Sequence, residues 1–239
     1  GLGGGTVGLD TAGKTLFLPN SIGATWDEAG IAYYALDEQG MPVEVVKDEV
    51  GPVRSKKGRL PAGTTRFARA LTGLQRKRTH RYYPSGAGWF AGGEAMVMGG
   101  YAGCLVLDFP SGNLRQTWFN LPDNVGNCVL AGHPSQPAIY LSLQHSPRLF
   151  QLAQADGYVS LLPQTATVKG ASLLGAPVVL THQSQVAVAA PKSLYLFGLE
   201  ADGRLAGKVE QLAVPSASPR GLTYSEKYAR LYVAVDKPN

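Results

Sequence analysis

The chain has 239 residues, among them 30 Gly and 16 Pro, with 16% charged residues and a formal charge of +5. That length can bury a substantial core, and the turn-rich, charge-poor composition suits many short strands better than a helical bundle. No run of 18 apolar residues is present to span a membrane, and two cysteines, Cys104 and Cys128, are too few for a disulfide framework or a metal site.

The chain opens on a glycine-rich run, GLGGG, read as a flexible start, and then on GLDTAGKT at Gly8 to Thr15, which satisfies the GxxxxGK[ST] pattern of phosphate-binding loops. Such a loop needs a helix beginning at the lysine, so that backbone amides point at phosphate. Here TLFLPNSIG follows, with Pro19 where the second helical turn would lie. DTAGKT is therefore expected to be a turn between two strands, and no nucleotide or other cofactor is expected.

TLFLPN, GIAYYALDEQG and PVEVV continue as alternating or apolar runs broken by turn residues, which reads as one small antiparallel sheet. Between the first two lies a longer loop, Ser21 to Glu28, with Trp26 at its tip as a candidate contact residue. Next comes an insertion. Residues 52 to 82 hold ten Lys or Arg and no acid, so the rest of the chain carries 12 basic and 17 acidic residues. The basicity belongs to one segment, which argues against a nucleic-acid-binding domain. Within the segment, Phe67, Leu71 and Leu74 share a helical face behind Thr64 or Thr65, predicting one short helix over 64 to 75. Arg76, Lys77, Arg78 and Arg81 then form a candidate docking element for an acidic partner, the alternative being a solvated basic loop.

The remainder repeats. The stretch Cys128 to Leu162 contains CVLAGH, AIYLSLQ, LFQLAQ and YVSLL, four strand-like runs separated by turns. Taking Tyr140 as a phase marker, Val186 and Tyr232 follow in two steps of 46 residues, Met96 lies 44 before, and Phe17 opens the series. Turn glycines Gly40, Gly112, Gly157 and Gly203 recur in step. A single such sheet cannot bury both faces, so copies must stack beside it. Cys104 and Cys128 fall in different repeats and are expected to be buried thiols, a disulfide being the alternative.

The pattern in which DTAGKTLFLPN, HPSQPAIYLSLQ and SEKYARLYVAVD each place a turn before an apolar, aromatic-bearing strand resembles the YVTN or lactonase-type β-propeller repeat. The resemblance implies an all-β propeller: four full four-stranded blades, a partial fifth, and a ring of about seven blades in total. On that reading residues 1 to 239 are one incomplete propeller domain, completed by further residues or by another chain. Lactonase-type enzymes carry a Pro-Arg-His triplet at the start of an innermost strand, and here Pro219 and Arg220 are followed by Gly221. Arg220 is thus the one matching position, and no catalytic residue is assigned.

The expected starts of the innermost strands, Gly5, Pro84, Cys128, Leu174 and Arg220, offer a single cation. The four histidines are dispersed in turns and in the insertion, and are read as structural or solvent-facing. The expected function is a non-catalytic interaction or ligand-binding scaffold, with a lactonase-like hydrolase as the alternative. An extracytoplasmic location is favoured, since a mature exported protein would already have lost its leader.

Overall fold

Alternating apolar residues and closely spaced turn signals leave this chain little choice but short strands, and twenty-one of them make up nearly all the regular structure described by the computed structural model. It describes residues 8–9, 15–20, 30–45, 54–55, 58–59, 84–100, 103–109, 114–118, 128–143, 146–173, 175–214 and 219–235. These fall into two compact units, Gly1–Leu121 and Pro122–Asn239. Trp26, the predicted helix over 64 to 75, Arg76, Lys77, Arg78 and Arg81 lie outside the described residues.

The first unit holds two four-stranded antiparallel sheets. One runs in the order β1 (Gly8–Leu9), β2 (Thr15–Asn20), β3 (Gly30–Leu36) and β4 (Pro42–Val45). The basic segment contributes a two-residue hairpin, β5 (Arg54–Ser55) with β6 (Gly58–Arg59), which joins neither sheet among the described residues. The second sheet is built from β7 (Pro84–Trp89), β8 (Ala95–Gly100), β9 (Gly103–Asp108) and β10 (Leu114–Trp118). Its centre is apolar: Phe90, Val97, Cys104, Leu105, Val106 and Leu107 are all fully buried. Trp89 meets Phe109 edge to face at 5.9 Å.

The second unit holds three sheets. The third sheet of the chain is β11 (Cys128–Gly132), β12 (Ala138–Leu143), β13 (Arg148–Ala155) and β14 (Tyr158–Leu161). A further short strand, β15 (Ala166–Thr167), pairs with the start of β13, an addition that the repeat does not predict. The fourth is β16 (Val178–Leu180), β17 (Gln185–Ala190), β18 (Ser193–Leu199) and β19 (Leu205–Ala213), with a single 3-10 turn at Thr181–Gln183. The fifth is the two-stranded pair β20 (Pro219–Ser225) and β21 (Arg230–Val235). Antiparallel sheets therefore recur where the repeat places them, the last described as a two-stranded pair.

The turn glycines behave as their spacing implies. Gly40, Gly157 and Gly203 each sit between the third and fourth strands of a sheet, with φ of 78°, 77° and 81°. Only glycine adopts this backbone without strain. At Gly203 space is short as well, since an added Cβ would lie 3.0 Å from the Gln136 side chain.

That turn is where the third and fourth sheets lock. The Tyr140 hydroxyl donates to the Gly203 carbonyl at 2.6 Å, and the Gln151 side-chain amide donates to the same oxygen at 2.9 Å. The Leu205 N–H returns a bond to Gln151 Oε1 at 3.0 Å. Around this network Tyr140, Leu149, Val179, Val186, Val188, Tyr195, Phe197 and Leu205 form one buried cluster. A separate cluster joins Leu180, Ala187 and Leu196 to Leu222, Tyr224 and Leu231 of the fifth sheet.

These clusters correct one step of the repeat. Val186 lies in the second strand as expected, but it faces back toward the third sheet, whereas Tyr140 faces forward toward the fourth. The residue that faces forward from β17 is Ala187. Strand side chains alternate, so a one-residue offset inverts the face. Both positions are apolar and buried, and the sequence therefore shows no alternation to reveal the offset.

Two stability outcomes follow. Tyr140→Phe removes one of the two donors to a buried carbonyl and is expected to cost about 1 kcal/mol, read from the urea unfolding midpoint. Ala229 holds φ of 49° in the turn between β20 and β21. Ala229→Gly relieves that left-handed conformation and is expected to stabilise by about 1 kcal/mol in the same measurement.

Candidate functional site

The starts of the first strands are the positions that the repeat directs toward a site. Thr15 begins strand β2, paired to β1 through Gly8 with Phe17 and Leu9 with Leu16, so a strand stands where a phosphate-binding loop requires its helix. Pro84 and Cys128 begin β7 and β11 as expected. The fourth sheet opens at Val178, four residues after the expected Leu174, which lies outside the described residues together with Gly5. Cys104 and Cys128 are both buried thiols. Burial alone pushes the Cys128 thiol up to about 12, which keeps it protonated and a poor nucleophile at neutral pH.

Arg220 lies in β20 at an irregularity of register: Pro219 pairs with Val235 and Gly221 with Ala234, leaving Arg220 as the extra residue of a bulge. The same irregularity occurs in β7, where Pro84 pairs with Gly100 and Gly86 with Gly99, so that Ser85 is the extra residue. Bulges of this kind bend a strand and re-aim a side chain. The local sequences are Pro-Arg-Gly and Pro-Ser-Gly, with glycine closing the bulge in both.

Toward the other end of β20, about 13 Å along the strand from Arg220 at Tyr224, a polar cluster links the fourth and fifth sheets. The Thr181 hydroxyl donates to the Glu226 carboxylate. His182 Nδ1 lies 2.7 Å from the Tyr224 hydroxyl, and that hydroxyl donates to Gln183 Oε1 at 3.2 Å. The Tyr224 hydroxyl thus stands between His182 and Gln183. Glu226 is 3.6 Å from His182 Nδ1. The cluster holds one histidine only, so the dispersal of the histidines along the sequence stands. The only sequence signal of the grouping was that His182 and Tyr224 lie 42 residues apart, near one repeat.

His133 plays a different part. Its Nδ1 accepts the backbone N–H groups of Ser135 at 3.2 Å and Gln136 at 3.1 Å, which fixes the proton on Nε2 and holds the turn into β12. Burial lowers its pKa below the ordinary histidine value, and the negative charge of Glu226 partly opposes the shift. Among the described residues no three His, Cys, Asp or Glu gather where they could hold a metal ion. No helix there is long and apolar enough to cross a membrane.

A cleft of about 610 Å³ is lined by Gln164, Thr165, Glu200, Asp202, Arg204 and Gly207, among others. Two of its charges, Asp202 and Arg204, engage each other. Arg204 Nε lies 2.6 Å from Asp202, and the Arg204 backbone N–H, followed by that guanidinium, holds the Asp202 carboxyl below the usual range.

Comparison with protein-family models and with curated proteins gives no match. Solved structures do match. A periplasmic gluconolactonase of Pseudomonas aeruginosa superposes over 95% of the chain with a TM-score of 0.63 at 17% identity. The Cps50 (Swd1) β-propeller domain of Myceliophteria thermophila matches over 92% with a TM-score of 0.53 at 13% identity. The fold is a β-propeller. A nidogen/laminin complex adds a third likeness, over 96% of the chain with a TM-score of 0.57 at 14% identity. The propeller chain spans 62% of the gluconolactonase and 66% of the Cps50 domain, less than two thirds of either.

The His133 geometry sets a pH dependence. A histidine whose folded pKa is lowered contributes stability that is present above its unfolded value of about 6.5 and is lost as pH falls below it. Unfolding midpoints of the wild type should therefore drop between pH 7 and pH 5. His133→Asn, which keeps an acceptor for Ser135 and Gln136, should show a smaller drop.

Proposed function

We propose that this propeller is a non-catalytic scaffold of the YVTN or lactonase type, binding a protein partner or a ligand. The carrying observation is Gly221. It follows Pro219 and Arg220 where the lactonase-type triplet has histidine, and it serves there to close the bulge at Arg220. The described starts of the other first strands add no acid or base: Cys128 is a neutral buried thiol, and Val178 and Pro84 cannot ionise. A hydrolase would need convergent catalytic groups at the opening.

A neighbour solved as WD40 repeats, RRP9 at 9% identity and a TM-score of 0.55, supports the scaffold reading by analogy of fold alone. The basic segment, with Arg76, Lys77, Arg78 and Arg81, and the Trp26 loop are the proposed contact elements, and an acidic protein surface is the proposed partner. A second reading, a lactonase-like hydrolase, draws on Arg220 and on the likeness to a gluconolactonase.

The two separate in one assay. With gluconolactone as probe, hydrolysis should proceed at the buffer rate, unchanged by Arg220→Ala. An acceleration that Arg220→Ala abolishes would establish the hydrolase instead. Retention on a heparin column should fall steeply with salt and disappear when residues 54 to 81 are deleted. Retention that survives the deletion removes the basic segment from the proposal.

A further inference from the structure

Asp-Gly occurs twice in the chain, both times as Ala-Asp-Gly and both times in the turn between the third and fourth strands of a sheet: Asp156–Gly157 between β13 and β14, and Asp202–Gly203 between β18 and β19. This dipeptide is prone to imide formation, because glycine has no side chain to keep its own nitrogen away from the neighbouring carboxyl carbon. The reaction needs a protonated carboxyl and a turn that can open far enough for the nitrogen to reach it. The two turns differ in both respects.

Asp202 is held in place. Its carboxylate accepts the Arg204 backbone N–H at 3.1 Å and the Arg204 guanidinium at 2.6 Å, and the first of these, aided by the second, keeps its carboxyl below the usual range. The Gly203 N–H donates to the Glu200 carbonyl at 2.9 Å. The Gly203 carbonyl accepts from Tyr140 and Gln151, and Gln136 Nε2 donates to the Ala201 carbonyl at 3.3 Å, so this turn opens only if the seam beside it opens too.

Asp156 is not held. Among the described residues no group is bonded to its carboxylate. Ala155 pairs with Tyr158 across a two-residue turn in which φ is 51° at Asp156 and 77° at Gly157, a left-handed conformation that suits the glycine and is less favourable at the aspartate. β14 is a four-residue edge strand in which Val159 alone is buried, and Tyr158 is 73% exposed. Little burial opposes the opening of this hairpin.

We propose that Asp156–Gly157 is a spontaneous modification site whose product, an isoaspartyl residue, is a substrate for an S-adenosylmethionine-dependent carboxyl methyltransferase. The Gly157 nitrogen attacks Asp156 Cγ; the new C–N bond replaces the Cγ–OH bond, and the amide proton leaves with the hydroxyl as water. Water then opens the cyclic imide. Attack at Cγ restores aspartate, whereas attack at the Asp156 carbonyl carbon routes the backbone through the side chain and leaves an α-carboxylate that can accept the methyl group. The added methylene lengthens a two-residue turn, so the Ala155–Tyr158 pair is lost and β14 loosens from β13. The inference does not depend on the scaffold reading.

The test ages the 239-residue chain at neutral pH and body temperature. Isoaspartate is then measured by methyl transfer from S-adenosylmethionine with an isoaspartyl methyltransferase and located by peptide mapping. It should accumulate at residue 156 at least about tenfold faster than at residue 202, a ratio set by the free energy of opening each turn. In guanidinium chloride, where neither turn persists, the two rates should converge. Asp156→Glu, whose imide would need a six-membered ring, should remove most of the methyl acceptance of the folded chain. Comparable rates at the two sites in the folded chain, a gap that persists in guanidinium chloride, methyl acceptance that survives Asp156→Glu, or an unmodified Asp156 after the unfolded chain has reacted would each overturn the proposal.

Discussion

One carbonyl oxygen organises the best-buried part of this protein. Gly203 brings its C=O into the seam between two sheets, where water cannot reach it and an unmet acceptor would cost roughly 1–3 kcal/mol. Tyr140 and Gln151 both supply donors, and Gln151 uses its other end to satisfy Leu205. Residues from three strands and one turn therefore specify one another. A slip of one residue in β12 would offer Ile139 or Leu141, neither of which has a hydroxyl. Burial raises the Tyr140 pKa, with the Asp202 charge adding to the effect, so the hydroxyl remains a donor across the neutral range. The turn can approach this closely because residue 203 has no side chain.

Function in such a fold depends on what the strand ends carry, because the strands themselves are occupied with packing. In β20 the two ends have separate characters. One places Arg220 in a bulge between proline and glycine. The other places Tyr224 and Glu226 against the turn that bears Thr181, His182 and Gln183.

Much of this was legible in the sequence. The phase markers Phe17, Met96, Tyr140, Val186 and Tyr232 all fall in second strands, and the turn glycines described all have positive φ. What repeats in sequence is the spacing of turns, which local chemistry dictates. Facing is harder to read, as Val186 and Ala187 illustrate. A strand buried on both sides loses its alternation, so the cue that would separate its two faces is absent. The polar cluster at His182 was hidden for a related reason. Its members come from neighbouring repeats and meet only because a 3-10 turn carries Thr181 to Gln183 toward the next sheet. The strand β15 was missed because it is two residues long and borrows the edge of β13.

Burial along the second strands of the later sheets is graded. All six residues of β12 are buried, five of six in β17, and none fully in β21. In a stack where each sheet contacts only its neighbours, stability is nearly a sum of seams. Among the described residues, the seam between the third and fourth sheets is thus the one most resistant to local opening. The seam between the fourth and fifth sheets is also bridged by His182, Tyr224 and Glu226. Hydrogen bonds there latch the turn after β16 to the end of β20, so the two sheets are held by exposed polar groups as well as by their apolar seam.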